Sequence, residues 1–404
     1  MITPLEAWER VVAHTAPLAA QPVALDSATG YILADPVVAD RDVPPADRAA
    51  MDGYAVRADD LRECPAVLTM VGEVAAGSDA TPSVGPGECV AIYTGANVPA
   101  DTDTVIMVED TEPVGEKQVR FMRAPRPGQH IFRQGENAQR GAVLLEAGAL
   151  LGAAEVGVCA AVGVDRPTVY DRPRVSILST GAELLDVSDA VGVHQLRNSN
   201  GPMLVSGLRG SGFDVVCCRA VEDDEEMILA AMQEMLADCD CLVLTGGVSV
   251  GKYDLVPKTI ERLGGRIHFH GVAIKPGKPQ LFATTDAGKI LYGLPGNPLS
   301  SMVGLQEFIL PALRRLSGWA PACCRTCFSV TLGKAIGGKT GRLRHKLAAL
   351  TWPPDGPVAM PVEYSGSADL VAGAEADGTV TIPADVPRIE AGETVDFYPW
   401  RPVA

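Results

Sequence analysis

The sequence predicts a multidomain α/β plus β protein: a doubly wound α/β domain, a discontinuous helical domain with an inserted β-rich domain, and a C-terminal β-barrel. Three observations carry this reading. Between Arg174 and Ser317, short apolar runs alternate with helical patterns at the spacing of strand–helix repeats. Short β-like runs separated by Gly/Pro turns fill Met51 to Asn137 and return beyond Trp319. Glycine and proline number 42 and 31 among 404 residues, which favours tight turns and short strands. At roughly 150 residues per domain, the chain should hold two to four domains, each able to bury a core.

Taken in order, Thr3 reads as the N-cap of a first helix, with Glu6 at the capping-box position. Pro36, Pro44 and Pro45 close that segment, and helical, apolar character returns between Gly141 and Val164. Residues 1–48 with 138–173 are therefore expected to pack as one discontinuous helical domain around the inserted β-rich domain, 49–137. The α/β domain, 174–318, opens with a strand from Val175 to Leu178 that runs into Ser179-Thr180-Gly181. Asn198, Ser199 and Asn200 are good caps for a helix that ends at Gly210 to Gly212. A strand from Val215 to Cys218 follows, and Asp223 and Asp224 open a helix with Ile228, Ala231, Met232, Met235 and Leu236 on one face. Cys241 to Leu244 runs into Thr245-Gly246-Gly247, Asp254 opens a further helix to Leu263, and a last helix spans Pro298 to about Ser317. Runs at Phe328 to Leu332, Val358 to Pro361, Gly378 to Ile382 and Thr394 to Tyr398 make residues 319–404 a compact β domain, a barrel or sandwich.

Composition excludes several functions. The net charge of −16 argues against a general nucleic-acid binder and against a polybasic membrane-surface protein. With 47% hydrophobic and 21% charged residues the chain is globular rather than disordered. The longest apolar stretch, Ala142 to Val164, contains Glu146 and Glu155; each would cost roughly 2.5 to 3.5 kcal/mol at a membrane centre, so no span is expected. The N-terminus lacks a secretory signal, and a cytoplasmic location is expected. The ten cysteines show no zinc or disulfide framework. Even Cys324-x-x-Cys327, beside Cys323, reads as a set of reduced, buried thiols.

In open α/β sheets, ligands bind beyond the carboxyl ends of the strands, and here those loops carry Glu183, Asp223 and Asp254. One such carboxylate is as readily an N-cap as a ligand, but three together would repel unless a cation sits among them. Magnesium, held by carboxylates and substrate phosphates, is the natural candidate, with Glu183, Asp223 and Asp254 as its ligands. Gly246 to Lys252 nearly spells a phosphate-binding loop, with Tyr253 in place of the metal-binding hydroxyl, so it reads as a different glycine-built anion cradle. Lys275-Pro276-Gly277-Lys278-Pro279 and Leu294-Pro295-Gly296-Asn297-Pro298 are two proline-stiffened loops, the first presenting two cations. Together these features suit a phosphorylated substrate.

The set Ala50-Met51-Asp52-Gly53-Tyr54-Ala55, Thr94-Gly95-Ala96, Arg133-Gln134-Gly135-Glu136, Ser179-Thr180-Gly181-Ala182-Glu183-Leu184, Asn198-Ser199-Asn200, Thr245-Gly246-Gly247-Val248-Ser249-Val250-Gly251, Lys275 to Pro279 and Leu294 to Pro298 closely resembles the MoeA family. These are molybdopterin molybdenumtransferases, related to the C-terminal region of gephyrin, and the resemblance runs from about residue 3 to the C-terminus. It implies an enzyme that takes adenylylated molybdopterin and molybdate, inserts the metal at the dithiolene and releases AMP with magnesium assistance. It also implies an elongated homodimer with a shared crevice, and contacts with other cofactor-biosynthesis proteins. Carried over to this chain, Asp52, Glu183, Asp223 and Asp254 would be catalytic. Thr94, Arg133, Ser179, Thr180, Gly181, Asn200, Gly246, Gly247, Ser249, Gly251, Lys275, Lys278, Pro295, Pro298 and Ser367 would bind substrate. The sequence departs from the family pattern at Ala182 and Asn137 and around Arg342-Leu343-Arg344-His345. A molybdopterin adenylyltransferase and a non-catalytic dimeric scaffold are the competing readings; the inserted Asp52 module argues against the first and the retained acids against the second.

Overall fold

The computed structural model describes residues 1–79, 82–248 and 255–401. Its contacts divide the chain into two compact units: Met1–Val23 with Ala28–Ala34 and Thr168–Ala404, and Ala24–Ser27 with Asp35–Pro167. No helix among the described residues is long and apolar enough to cross a membrane.

The larger unit is built on a six-stranded sheet in the order Val215–Val221, Val175–Thr180, Cys241–Thr245, Ile290–Leu294, Leu281–Thr284, Arg266–His270. The first four strands are parallel; Leu281–Thr284 runs antiparallel to them, and Arg266–His270 antiparallel to Leu281–Thr284. Val175–Thr180, Cys241–Thr245 and Ile290–Leu294 are buried at every position, as expected of strands covered by helices on both faces. Alternate residues feed separate cores: Val175, Ile177 and Val243 face Phe308 and Leu313 on one side, while Leu178, Leu242 and Leu244 face Ile228, Met232 and Ile260 on the other.

The first helix, Pro4–Ala13, is set by the expected capping box: Glu6 N–H donates to Thr3 Oγ1 at 3.2 Å, and Thr3 N–H donates back to Glu6 Oε2 at 2.7 Å. Such a cap contributes about 1 kcal/mol. Its Ala7, Trp8 and Val11 are buried in the α/β core. The first 23 residues thus belong with the α/β unit, whereas the sequence reading placed them with 138–173. Helical pattern alone gives no information on which sheet an apolar stripe will cover.

The last 80 or so residues close into a barrel, as a roll of five strands in the order Leu343–Thr351, Val358–Pro361, Phe328–Leu332, Thr394–Pro399, Gly378–Ile382, with the last pairing back to the first. Ile274–Lys275, from the α/β domain, adds a parallel strand at Leu343–Arg344. Closure removes the free edges that a small sheet would otherwise expose.

The smaller unit contains a six-stranded sheet, in the order Thr104–Met107, Gly53–Val56, Glu88–Ile92, Ala66–Val74, Gln118–Phe121, Thr111–Val114. Short pairs at Arg48–Ala49 with Ile131–Phe132 and at Val37–Val38 with Val143–Leu145 flank it, and one helix, Ala153–Ala161, follows.

All ten cysteines are free. Cys324 is buried, but Cys218, Cys323 and Cys327 are exposed, so buried thiols describe only part of the set.

Candidate functional site

The chain leaves Val175–Thr180 for the edge strand Val215–Val221 and then crosses to Cys241–Thr245 on the other side, so the sheet's topological switch lies at Val175–Thr180. A crevice forms at such a point because the flanking loops turn away from each other. Here it is a cavity of about 580 Å³. Of the sequence-predicted residues, Ser179, Thr180, Gly181, Glu183, Asn200, Asp223, Gly246, Gly247 and Pro298 all line it.

Its walls are held by amide and hydroxyl groups rather than by charge. Asn200 Nδ2 donates to Thr245 Oγ1 at 2.9 Å and to the Gly296 carbonyl at 2.8 Å, tying the first helix N-terminus of the α/β domain to two strand-end loops. Asn198 Oδ1 accepts from Gly201 N–H at 3.0 Å and from Ser179 Oγ at 3.2 Å. Ser301 Oγ donates to the Pro295 carbonyl at 2.7 Å, which fixes the Leu294-Pro295-Gly296 turn ahead of the helix Pro298–Gly304. The helices Asn200–Gly210 and Pro298–Gly304 both begin at the cavity, so two positive dipole ends face it.

Gly246 is required by geometry. Its φ is +93°, and a Cβ there would lie 2.2 Å from the Thr180 carbonyl oxygen. The close approach of the first and third strand-end loops therefore depends on a residue without a side chain.

The adjacent acids Asp223 and Asp224 separate cleanly. Asp224 is the helix cap, accepting from Met227 N–H at 2.9 Å, while Asp223 lines the cavity. Glu183 lines it as well, so two carboxylates at its exposed rim have no capping duty to explain them. Asp254, Ser249 and Gly251 lie outside the described residues. Among the described residues no group of three or more His, Cys, Asp or Glu side chains is placed to hold a metal ion.

Thr180 Oγ1 and Asn200 Oδ1 are buried without a hydrogen-bond partner among the described residues. With Glu183 and Asp223 they make an all-oxygen donor set, the chemistry that hard divalent cations and their bound water prefer.

Other predicted residues fall elsewhere. Pro295 and Ser367 do not line the cavity but brace what does: the Pro295 carbonyl accepts from Ser301 Oγ, and Ser367 O accepts from Leu299 N–H at 3.0 Å, docking a barrel turn on the helix that begins at Pro298. The next residues of that turn, Ala368 and Leu370, line the cavity, so the C-terminal domain takes part in it. Lys278 is exposed, and Lys275 is placed in a second cavity of about 100 Å³. The side chains of Lys339, Arg342, Arg344 and Lys346 line the same space, and no acidic residue does. Arg344 is only 3% exposed, and its Nε and Nη1 find no partner among the described residues. Where the strands Ile274–Lys275 and Leu343–Thr351 meet, exposed Lys275 stands opposite buried Arg344, whose Nη2 donates to the Pro383 and Val386 carbonyls; a small space lined by five cationic residues and no acid has the chemistry an anion prefers. Sequence reading found Lys275 but missed Arg342 and Arg344, because alternating residues of a barrel strand carry no local sign of what they face.

In the smaller unit, Asp52 and Thr94 come together: Thr94 N–H and Oγ1 each donate to Asp52 Oδ1 at 2.7 Å. The backbone N–H and then the hydroxyl hold this exposed carboxyl below the usual carboxylate range. Gly53 is needed beside it, since a Cβ there would sit 1.8 Å from the Ile106 carbonyl oxygen. Arg133 pairs with Asp47 at 2.5 Å, and Gln134 N–H donates to the same carboxylate at 2.8 Å. Arg133 is thereby part of a loop brace.

Comparison with known proteins gives this geometry a family. Residues 2–163 match the "MoeA N-terminal region (domain I and II)", residues 176–315 the "Probable molybdopterin binding domain" and residues 329–400 the "MoeA C-terminal region (domain IV)". A molybdopterin molybdenumtransferase of Synechocystis is 32% identical over 99% of this chain and 100% of its own length. The chain belongs to the MoeA family. A molybdopterin molybdenumtransferase of Staphylococcus aureus is 31% identical over 97% of this chain and 94% of its own length. The crystal structure of a molybdopterin biosynthesis MoeA protein from Pyrococcus horikoshii superposes with a TM-score of 0.82 at 28% identity, covering 100% of both chains. As a MoeA protein, the chain functions in molybdenum cofactor biosynthesis.

Proposed function

We propose that this protein is a molybdopterin molybdenumtransferase that inserts molybdate into adenylylated molybdopterin and releases AMP. The observation that carries the reading is the cavity at the sheet's switch point, where two helix N-termini, a glycine turn that needs Gly246 and the carboxylates of Glu183 and Asp223 converge. The positive dipole ends of the two helix starts would hold the phosphate oxygens of the nucleotide-linked pterin, which the side-chain-free Gly246-Gly247 turn lets approach the backbone. Glu183 and Asp223, with Thr180 Oγ1 and Asn200 Oδ1 beside them, would hold magnesium, which when bound supplies positive charge against the phosphoanhydride. Asp254 is proposed as a further magnesium ligand from the sequence alone. Lys275, Arg342 and Arg344 would take the molybdate, since their cavity is small, basic and free of acidic lining. The turn running from Tyr364 at the basic cavity to Ala368 and Leu370 at the main one links the two spaces.

As in the sequence reading, we propose a homodimer, a cytoplasmic location and contacts with other cofactor-biosynthesis proteins. We also propose 49–137 as an inserted domain, 174–318 as the α/β domain and 319–404 as the C-terminal domain; the ends of the family matches at 163, 176, 315 and 329 support the last two boundaries.

The test is an assay of purified protein with adenylylated molybdopterin, molybdate and magnesium. AMP and active cofactor are expected only when all three are present. AMP release unchanged by Glu183→Ala combined with Asp52→Ala would remove these residues from the mechanism. Light scattering that reports a monomer at micromolar concentration would overturn the dimer.

A further inference from the structure

Behind the basic cavity lies a set of buried charges that the proposed chemistry does not use. The last helix of the α/β domain is interrupted by one π turn, Leu305–Ile309, where Leu310 N–H donates to the carbonyl of Leu305. Such turns are rare and concentrate at functional sites. Here the turn carries Glu307, 1% exposed, toward the barrel. Glu307 Oε2 pairs with Arg325 Nη2, in the connection between the two domains. Its Oε1 faces His345 Nε2 on the barrel at 3.6 Å.

His345 is 2% exposed, with Nδ1 at 3.2 Å from Thr379 Oγ1 and its ring edge-on to Tyr398 at 5.9 Å. Glu307 Oε1, Arg325 Nε and His345 Nε2 have no hydrogen-bond partner among the described residues. A buried, under-satisfied ion pair is a poor stabiliser; its better-attested use is to select one arrangement of the elements it joins.

What it joins is informative. His345 sits on the strand Leu343–Thr351 between Arg344 and Lys346, which line the basic cavity. The start of that strand pairs with Ile274–Lys275, placing Arg344 opposite Lys275, and Leu343 N–H donates to the Ala273 carbonyl at 2.9 Å. The backbone carbonyl of His345 accepts from Tyr364 Oη at 3.5 Å, and the Tyr364 ring lies under Lys346 Nζ at 5.4 Å. Every cation of the cavity on this strand is one residue from His345.

We propose that Glu307 and Arg325 are positioning residues: their buried ion pair, acting through His345, fixes the barrel strand so that Arg344 and Lys346 stand correctly against Lys275, and so sets the affinity of the basic cavity for a small oxyanion. This rests on the reading of that cavity as the molybdate site.

The test compares full-length wild-type protein with Glu307→Gln, the double variant Glu307→Met with Arg325→Met, and Arg342→Ala. The measured quantities are the molybdate concentration for half-maximal AMP release, KM for adenylylated molybdopterin, and the thermal midpoint. Both Glu307 variants are expected to raise the molybdate requirement about tenfold while the pterin KM stays within about twofold. The double Met variant removes both charges, so its midpoint should stay near wild type and separate positioning from folding. If it keeps the wild-type molybdate requirement while Arg342→Ala raises it, positioning is overturned and the cavity reading survives. If Arg342→Ala has no effect on the molybdate requirement, the cavity reading fails and the proposal fails with it. A lowered midpoint with both KM values unchanged would show that the cluster is merely structural, which also overturns the proposal.

Discussion

Two cavities of the larger unit are built on opposite principles. The one at the sheet switch is made of backbone and amides: a glycine turn, helix starts, Asn200 and Thr245, with acids only at the rim. The one at the barrel is made of cationic side chains, with no acidic lining residue. A protein of net charge −16 thus offers two differently built spaces, which we propose receive two kinds of anion. On the proposed reading, one is accommodated by helix dipoles together with a cation held by carboxylates, the other by fixed positive side chains. The difference teaches that net charge governs the surface, while local geometry decides what a site admits.

The largest effect should come from breaking the backbone-built cavity at its closest approach. Gly246→Ala adds a Cβ at positive φ, 2.2 Å from the Thr180 carbonyl oxygen, and should destabilise the protein by about 3 kcal/mol or more, read as a lowered thermal midpoint. Lys339→Ala in the basic cavity, at an exposed position, should change stability by no more than about 0.5 kcal/mol. Equal losses would erase the distinction between the two constructions.

Next in size is the rim. Glu183→Gln keeps shape but removes charge, and should lower the rate of AMP release about 100-fold with the molybdate requirement unchanged. Arg342→Ala should do the reverse, raising the molybdate requirement about tenfold with little effect on the pterin KM. A single variant that moves both parameters together would show that the two spaces act as one site.

What the sequence revealed follows the same division. Strand-end glycines, N-cap residues and the alternation of strand and helix are local signals, so the α/β sheet and nine residues of its cavity were legible, and so was the Asp52–Thr94 pair through its motif. Ala368 and Leu370 were not, because they reach the cavity only through a docking that joins Ser367 to Leu299. Arg344 and Glu307 were hidden for a related reason. A buried arginine on a barrel strand and a buried glutamate on a π turn both look, in sequence, like ordinary solvated charges. Trp8 gave the helix but not its partner, which turned out to be the α/β core.

The smallest expected effect concerns the acid that belongs to neither cavity. Thr94 donates to Asp52 through its N–H and its hydroxyl, and both favour the ionised carboxylate, so Asp52 stays charged below the usual carboxylate range. A depressed folded-state value means that the contribution of this group is complete above its unfolded value and is lost as pH falls through the folded one. If ionised Asp52 takes part in AMP release, the acid limb of the pH–rate profile lies correspondingly low. Thr94→Val removes the hydroxyl donor and keeps the backbone one, so the limb should move toward higher pH by a fraction of the full effect, with the neutral-pH rate little changed. Asp52→Asn should abolish the limb and lower the rate at every pH. A limb that does not move in Thr94→Val and persists in a slowed Asp52→Asn would mean that protonation of another group sets the acid limit, and Glu183→Gln and Asp223→Asn at the switch-point rim would be the next variants to titrate.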